Sequence, residues 1–280
     1  MRNYLLIKVI IGLFLLGFIS CDKADIRGMF FSYNYVNERF DQSMEWNDIH
    51  GFKQITTTDS VYKIYVMGDS HMGTDKNYNT FIFDAIEDSA LAVVMNGDIT
   101  SGRAKDVAIF EKKIPPQSTI ESFLLVGNHD LYFDGWDEFY KRLGSSTYYF
   151  TVQTPQAIDL FICLDSGSGT LGYKQMNWLK NILKDRTLYR NCIVFTHCNF
   201  FRSRHTSSTN PNIEEIRTLL DLFLTHNINM VITGHDHKRS IEILGNTTYI
   251  TMDALLDGHK HASYLKLSIG SSIHYDFEQL

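Results

Sequence analysis

Five short apolar segments, each followed at once by Asp, His or Asn, constrain the fold of this chain more than any other feature. Each has the length of a buried β-strand. They lie at residues 64–67, 91–95, 123–126, 192–195 and 228–232. Amphipathic segments that predict helices occur at residues 78–87, 104–113, 136–143, 173–184 and 213–225. Strands that alternate with helices of these lengths predict right-handed crossovers and a sheet covered by helices.

The carboxyl-terminal part of the chain follows a different pattern. Short alternating segments predict antiparallel strands of a second sheet at residues 241–244, 249–252, 264–267 and 273–277. Two more predicted strands, at residues 148–150 and 160–162, are joined by a turn around Pro155. The predicted fold class is therefore α/β, a two-sheet β-sandwich flanked by helices, over residues 61–280. With 280 residues and 44% hydrophobic content, the chain can form a large core.

The first twenty residues have the features of a secretory signal peptide. Two basic residues, Arg2 and Lys8, precede the apolar stretch 9–19, and no acidic residue occurs before Cys21. The sequence Phe-Ile-Ser-Cys at residues 18–21 resembles the lipobox of bacterial lipoproteins, in which the cysteine is acylated and becomes the mature amino terminus. We therefore expect export, lipidation of Cys21 and membrane anchoring towards the periplasm or cell exterior.

Two alternatives to the lipoprotein prediction remain open at this stage. One is a signal that is cleaved without lipidation. The other is an uncleaved anchor, which is disfavoured because the apolar stretch is shorter than the roughly 20 residues that a membrane span needs.

Residues 22–60 are predicted to be an amino-terminal extension or tether. Residues 24–60 show no clear periodicity, yet they contain more aromatic side chains than a solvated linker would carry. These are Phe30, Phe31, Tyr33, Tyr35, Phe40 and Trp46. We therefore expect part of this extension to dock on the domain.

Charge and cysteine content limit the classes of partner and of covalent chemistry. The formal net charge is −6, whereas a general nucleic-acid binder needs a basic stripe for the phosphates, so we expect no nucleic-acid partner. Three cysteines follow Cys21, and in an exported protein an odd number leaves at least one thiol unpaired. Cys163 and Cys192 lie in apolar segments and are expected to be buried and inert, while Cys198 directly follows His197.

Seven side chains at the predicted strand ends are candidate metal ligands. They are Asp69, His71, Asp98, Asn128, His197, His235 and His237. A single sheet edge would bring these strand ends together, as in open α/β sheets. Seven groups exceed the needs of one ion and suit two divalent ions a few ångströms apart. Such a pair needs a bridging carboxylate, and Asp98 is the candidate because no second ligand stands two residues from it.

The order of these motifs resembles that of the calcineurin-like metallophosphoesterases. The motifs are Asp-x-His at 69–71, Gly-Asp at 97–98, Gly-Asn-His-Asp at 127–130, a lone His at 197 and Gly-His-x-His at 234–237. The resemblance covers residues 61–277. It implies one ion held by Asp69, His71, Asp98 and His237, and another held by Asp98, Asn128, His197 and His235. It also implies that His129 acts near the leaving group and that Asp130 holds the ring of His129.

The resemblance further implies hydrolysis of phosphate mono- or diesters. Two divalent ions polarise the phosphoryl oxygens and lower the pKa of a bridging water, and mixed imidazole and carboxylate ligands suit Mn, Fe or Zn. His129 would protonate the departing oxygen, a role typically worth about 10² to 10⁴ in rate. The substrate could be a phosphorylated small molecule, a lipid-linked phosphate or a phosphopeptide.

Two alternative functions stand beside this expectation. One is a cyclic-nucleotide or other phosphodiesterase specifically. The other is a non-catalytic phosphate-recognition protein, which is disfavoured because every expected ligand is present.

Three arginines are candidate substrate contacts. Many protein phosphatases of this superfamily carry Asp-Arg three and four residues after the Gly-Asp motif, whereas here the acid is absent and Arg103 comes one place later. Arg202 and Arg204 follow His197 in a basic, aromatic segment, and they could bind phosphate or lie on a solvated surface. His259 and His261 are expected to be exposed, because the expected ligand set is already complete.

Overall fold

The computed structural model describes residues 34–73, 75–202 and 209–280. Within these residues the chain forms two β-sheets packed face to face, with helices on the outer faces, so the predicted fold class is confirmed. The predicted signal peptide, Cys21 and Arg204 lie outside the described residues.

One sheet has seven strands in the order β1-β5-β6-β7-β8-β10-β9. These strands are β1 (Lys53–Thr56), β5 (Tyr148–Gln153), β6 (Ile158–Leu164), β7 (Cys192–Thr196), β8 (Met230–Thr233), β9 (Ser240–Leu244) and β10 (Thr247–Thr251). The other sheet has five strands in the order β12-β11-β2-β3-β4. These are β2 (Tyr62–Met67), β3 (Ala92–Asn96), β4 (Glu121–Leu125), β11 (Ser263–Ile269) and β12 (Ile273–Gln279).

Six α-helices and two 3₁₀ segments connect the strands within the described ranges. The helices are α1 (Val36–His50), α2 (Lys76–Glu87), α3 (Ala104–Glu111), α4 (Gly135–Leu143), α5 (Gly172–Ile182) and α6 (Ile213–Thr225). The 3₁₀ segments are His129–Asp134 and Leu183–Leu188. All five helices predicted from the sequence occur, with ends shifted by only a few residues. None of the helices in these ranges is long and apolar enough to cross a membrane.

The hydrophobic core has three layers, one between the two sheets and one on the outer face of each sheet. Between the sheets, side chains such as Val94 from one sheet and Phe195 from the other are fully buried in one cluster. The outer face of the five-stranded sheet packs on α2, α3 and α4, and that of the seven-stranded sheet packs on α5 and α6. Strands buried on both faces read as continuous apolar runs, which is why the sequence revealed β3 and β7 so clearly.

The prediction that the strands after Gly234 form a second sheet of their own is wrong. β10 pairs in parallel with β8 and carries β9 on its other side, so both extend the seven-stranded sheet. β11 and β12 instead extend the five-stranded sheet, because β11 pairs antiparallel with β2. Alternating polarity reveals a strand with one solvated face, but it does not identify the strand's neighbour.

The described part of the extension folds onto the domain. β1 pairs in parallel with β5, and α1 packs against α4, α5 and β5. Arg39 of α1 is fully buried, and its guanidinium pairs with Asp165 at 2.7 Å. The sequence did not predict α1 because its buried face carries Arg39, Ser43 and Asn47 in place of an apolar stripe.

Candidate metal centre

The predicted ligands meet where strand ends of both sheets converge. Asp69, Asp98 and Asn128 follow β2, β3 and β4 of the five-stranded sheet, while His197 and His235 follow β7 and β8 of the seven-stranded sheet. The expectation of a single sheet edge is therefore wrong. Because the two sheets face each other, the carboxyl ends of their parallel strands form one cleft.

The carboxylate of Asp98 lies at the centre of this cleft. Its Oδ2 is 3.3 Å from His197 Nε2, 3.8 Å from His71 Nε2 and 4.0 Å from His129 Nε2. Its Oδ1 accepts the backbone N–H of His129 at 2.7 Å. One oxygen is thus fixed by the backbone while the other faces the imidazoles, as a carboxylate shared by two ions would require.

Two groups of side chains could each hold a metal ion, and both include Asp98. Asp69, His71, Asp98 and His237 form one group, and Asp98, His197 and His235 form the other, with ligand atoms within 4.8 Å of one another in each. The two groups contain six of the seven predicted ligands. The seventh, Asn128, is buried, and its Nδ2 donates to Tyr132 Oη at 3.0 Å.

Three buried atoms of the predicted ligands lack a hydrogen-bond partner among the described residues. They are Asp69 Oδ1, Asn128 Oδ1 and His197 Nε2. An unsatisfied buried polar group costs about 1–3 kcal/mol, so three together need an explanation. Asp69 Oδ1 and Asn128 Oδ1 carry lone pairs of the kind that bind divalent cations, and His197 Nε2 offers one once its proton is displaced, so the donor set fits metal.

Neighbouring carbonyl groups orient two of the imidazoles. His197 Nδ1 lies 3.0 Å from the carbonyl oxygen of Asn96, and His235 Nε2 lies 2.8 Å from that of Thr209. If each of these nitrogens donates its proton to the carbonyl, the other ring nitrogen keeps a free lone pair for an ion. The backbone N–H of His235 also donates to Asp69 Oδ2 at 2.9 Å, which leaves Asp69 Oδ1 for the cleft.

The ionisable side chains of the cleft favour the binding of cations. Burial raises the pKa of Asp98, but the charge of His197 outweighs it and holds that pKa below its usual range. Burial lowers the pKa of His197, whereas Asp98 and then Asp69 raise it, to about 10. Burial lowers the pKa of His235 to about 4, so this imidazole is neutral. Ionised carboxylates beside a neutral imidazole stabilise positive charge.

Five of the candidate ligands adopt left-handed backbone conformations. The φ angles are 53° at Asp69, 41° at His71, 50° at Asp98, 73° at His235 and 54° at His237. Such conformations cost of order 1–3 kcal/mol each in residues other than glycine and persist where the surroundings enforce them. Here, for example, the His71 N–H donates to the Asp98 carbonyl at 3.0 Å. At these five positions the backbone strain lies where the ligands turn into the cleft.

Gly127 is required by the close approach of two strand ends. A Cβ atom at this position would overlap the carboxylate and the backbone nitrogen of Asp98. A larger residue would push β4 away from β3 and displace Asp98 from the centre of the cleft.

The sequence carries a family signature that agrees with this geometry. The family model for calcineurin-like phosphoesterases matches residues 62–239. The chain belongs to the calcineurin-like phosphoesterase family. Membership supports metal-dependent hydrolysis of phosphoesters, because the family uses divalent metals and the cleft offers Asp and His groups that could bind them.

Solved structures share the fold at low sequence identity. A dimetal phosphatase from Danio rerio superposes with a TM-score of 0.60 at 12% identity, covering 79% of this chain and 97% of that one. GAP50, the anchor in the inner membrane complex of Plasmodium, gives a TM-score of 0.60 at 13% identity, covering 79% of this chain and 85% of that one. No curated protein sequence matches the chain significantly.

The role expected for Asp130 in this phosphoesterase is wrong. Its fully buried carboxylate does not hold the ring of His129, since both oxygens accept hydrogen bonds from the loops after β3 and β4. The donors are Ile99 N at 3.2 Å, Thr100 N at 2.7 Å, Thr100 Oγ1 at 2.9 Å and Gly127 N at 2.9 Å. Burial and the charge of Asp98 raise the pKa of Asp130 to about 7, and they outweigh the hydrogen bonds, which lower it. Asp130 therefore joins the loop that carries Asp98 to the loop that carries Asn128.

The candidate substrate arginines have different surroundings in the phosphoesterase. Arg202 reaches the cleft, where its Nη1 donates to the Thr209 carbonyl at 2.6 Å and its Nε pairs with Asp236 at 2.8 Å. Arg103 is exposed, and its guanidinium stacks on the ring of Phe133 at 3.8 Å. Arg204 lies outside the described residues. Arg202 thus lies directly against the candidate ligand His235, with its Nη1 3.1 Å from His235 Nε2, and both side chains contact the carbonyl of Thr209.

One of the remaining histidines lies beside a candidate ligand, because the ring centroid of His259 is 6.3 Å from that of His237. The expectation that both His259 and His261 are exposed is confirmed for His261 and is wrong for His259, which is half-buried. Cys163, Cys192 and Cys198 are buried free thiols, and burial raises the pKa of Cys198 to about 12.

Sequence reasoning missed two supporting residues, Tyr132 and Thr209. Tyr132 lies four residues after Asn128, and this spacing in a helical turn was an available signal. Thr209 acts through its backbone carbonyl, for which the sequence contains no signal.

Proposed function

We propose that this protein hydrolyses phosphate mono- or diesters outside the cytoplasm, using two divalent ions that share Asp98. The observation that carries the proposal is the pair of ligand groups that meet at Asp98. Three buried atoms that lack a hydrogen-bond partner in the described part of the chain support it, because two ions would satisfy Asp69 Oδ1, Asn128 Oδ1 and His197 Nε2.

The expected ligand assignment follows the two groups. Asp69, His71, Asp98 and His237 would hold one ion, and Asp98, Asn128, His197 and His235 would hold the other. When bound, the ions polarise the phosphoryl group and make a water nucleophilic near neutral pH. Imidazole and carboxylate donors together favour Mn, Fe or Zn over Mg or Ca.

His129 is the candidate proton donor to the leaving oxygen. Its side chain is 42% exposed at the rim of the cleft, with Nε2 4.0 Å from Asp98 Oδ2. Its backbone N–H is bound to Asp98 Oδ1, so the residue is fixed relative to the shared carboxylate. A titratable ring beside the ligand groups and open to solvent can deliver a proton to a departing alcohol.

The proposed location outside the cytoplasm rests on the signal-like sequence and on Cys21. Incorporation of labelled fatty acid by the full chain, and its loss in Cys21→Ser, would support a lipid-anchored protein. Cleavage without label would instead indicate a soluble exported protein.

One assay tests the proposed activity. The purified protein with Mn²⁺ is given an aryl phosphate monoester and the corresponding bis-aryl diester, with and without a chelator. We expect turnover that chelation abolishes, and the ratio of the two rates separates monoesterase from diesterase activity. Turnover of neither ester, or turnover that is indifferent to chelation, would refute the proposal.

A further inference from the structure

A cavity of about 470 Å³ lies beside the candidate metal centre, and the amino-terminal extension forms one of its walls. Asn34, Tyr35 and Asn37 line it from the extension, and Tyr132, Ser168 and Thr170 line it from the domain. Its volume falls within the roughly 300–1,000 Å³ of small-molecule sites. The cavity is therefore large enough for the organic part of a phosphoester.

The cavity adjoins the second ligand group. Asn128, a predicted ligand, is one of its lining residues. Thr209 is another, and the carbonyl of Thr209 lies 2.8 Å from the ring of His235, also a predicted ligand. A phosphoryl group at the metal centre would thus have its ester oxygen close to this cavity.

The wall formed by the extension is held rigidly. The Arg39 guanidinium pairs with Asp165 at 2.7 Å and donates to Ser168 Oγ at 3.0 Å. Of these three residues, Ser168 lines the cavity. The Asn37 side chain accepts the backbone N–H of Lys174 at 3.1 Å. These bonds fix the start of α1 against the loop after β6 and thereby fix the cavity's shape.

The described residues that line the cavity are all uncharged. They offer amides, hydroxyls, two tyrosine rings and a few aliphatic groups. Charged side chains behind the lining are engaged: Arg39 pairs with Asp165, Glu38 accepts the backbone N–H of Tyr35, and Asp137 accepts from Asn34 Nδ2. A charged leaving group would lose hydration here without an oppositely charged side chain among the described lining residues, whereas hydroxyls and a neutral ring would find hydrogen bonds and contact area.

We propose that this extension-built cavity binds the alcohol part of the substrate, and that it selects an uncharged, hydroxylated group, a sugar or a nucleoside. The inference rests on the proposed phosphoesterase function. Tyr35, whose side chain is 75% exposed, would cover the bound ring. The extension is therefore a specificity element of the enzyme.

The test compares leaving groups on one protein. kcat/KM is measured for a nucleoside 5′-monophosphate, a hexose phosphate and phosphoserine, with p-nitrophenyl phosphate as the reference. We expect one of the two neutral alcohols to exceed phosphoserine. In Tyr35→Ala its kcat/KM should fall roughly tenfold, mostly through KM, as for loss of an aromatic stacking partner. The kcat/KM for phosphoserine should fall less in this variant, because its charged alcohol gains little from contact with the Tyr35 ring. Tyr173→Ala is the matched control, since Tyr173 is 64% exposed and is not part of the lining.

A binding experiment separates this inference from the proposed activity. Saturation-transfer NMR measures binding of the free nucleoside or hexose and requires no turnover. We expect binding to wild type and to Tyr173→Ala, but not to Tyr35→Ala. If wild type binds neither alcohol, or if phosphoserine is preferred, the cavity does not select neutral leaving groups. An equal loss in Tyr35→Ala on every substrate would also overturn the proposal. Binding without any metal-dependent turnover would refute the proposed function and leave the binding role standing.

Discussion

Replacement of Asp130 by alanine distinguishes a residue that joins two loops from one that orients a catalytic ring. In the structure its carboxylate accepts three backbone N–H groups, those of Ile99, Thr100 and Gly127, besides a hydroxyl. Asp130→Ala leaves all three donors buried without a partner. Each such donor costs about 1–3 kcal/mol, and the largest single substitutions reach about 4–5 kcal/mol, so we expect a loss of about 3–5 kcal/mol in the free energy of unfolding.

Thermal unfolding in the presence of a chelator measures this loss without a contribution from bound metal. For a domain of this size, 3–5 kcal/mol corresponds to a fall in Tm of roughly 6–20 °C. Asp130→Asn keeps the shape and one acceptor oxygen, and its Tm should lie between those of wild type and the alanine variant. Metal affinity should fall in both variants, because Asp98 lies in the loop that Asp130 holds and would be displaced with it.

His129→Asn is the matched control. The side chain is 42% exposed, so its Tm should stay within about 2 °C of wild type while kcat falls by about 10² or more. If Asp130→Ala instead kept the wild-type Tm and lost only kcat, the loop-joining role would be refuted and the ring-orienting role restored.

Three further predictions follow from the cleft and from the extension. Asp98→Asn removes the charge that both ligand groups share, so elemental analysis after dialysis should find both ions lost, and retention of both would contradict the bridging role. Burial lowers the pKa of His197 but Asp98 raises it, to about 10, so an incoming ion must displace a proton at neutral pH. Calorimetric titration should then show metal affinity rising about tenfold per pH unit from about pH 6 to 9, and a flat profile would contradict this. Arg39→Met leaves Asp165 buried without its cationic partner, so the free energy of unfolding measured in urea should fall by about 3–5 kcal/mol. The double variant with Asp165→Leu should regain part of this loss. A double variant no more stable than the single one would count against the buried pair.

The sequence predicted the parts of the fold where local pattern and tertiary role coincide. β3 and β7 are buried on both faces, so their composition alone marks them as strands. The candidate ligands follow such strands directly, and for this reason the sequence indicated that they meet, although it placed them at one sheet edge and the structure places them at the edges of two sheets. The helices that cover the sheets carry one apolar side each and were predicted for the same reason.

The parts that the sequence did not predict depend on partners that are distant along the chain. α1 buries Arg39, whose partner Asp165 lies 126 residues away, so its buried face resembles a solvated one. The assignment of β9 to β12 to the two sheets depends on which edge each strand meets, which period-two patterning does not specify. Asp130 stands next to His129 in sequence, but its carboxylate is directed towards the loop after β3.

Under the proposed lipid anchoring, the docked extension would set how far the cleft can lie from a membrane. If Cys21 carries the lipid, a free tether of residues 22–60 could extend roughly 130 Å, whereas docking at residue 34 leaves only residues 22–33, at most roughly 40 Å. The cleft would then stay close to the bilayer surface, and folding of the extension would limit the volume in which the proposed enzyme can find a substrate.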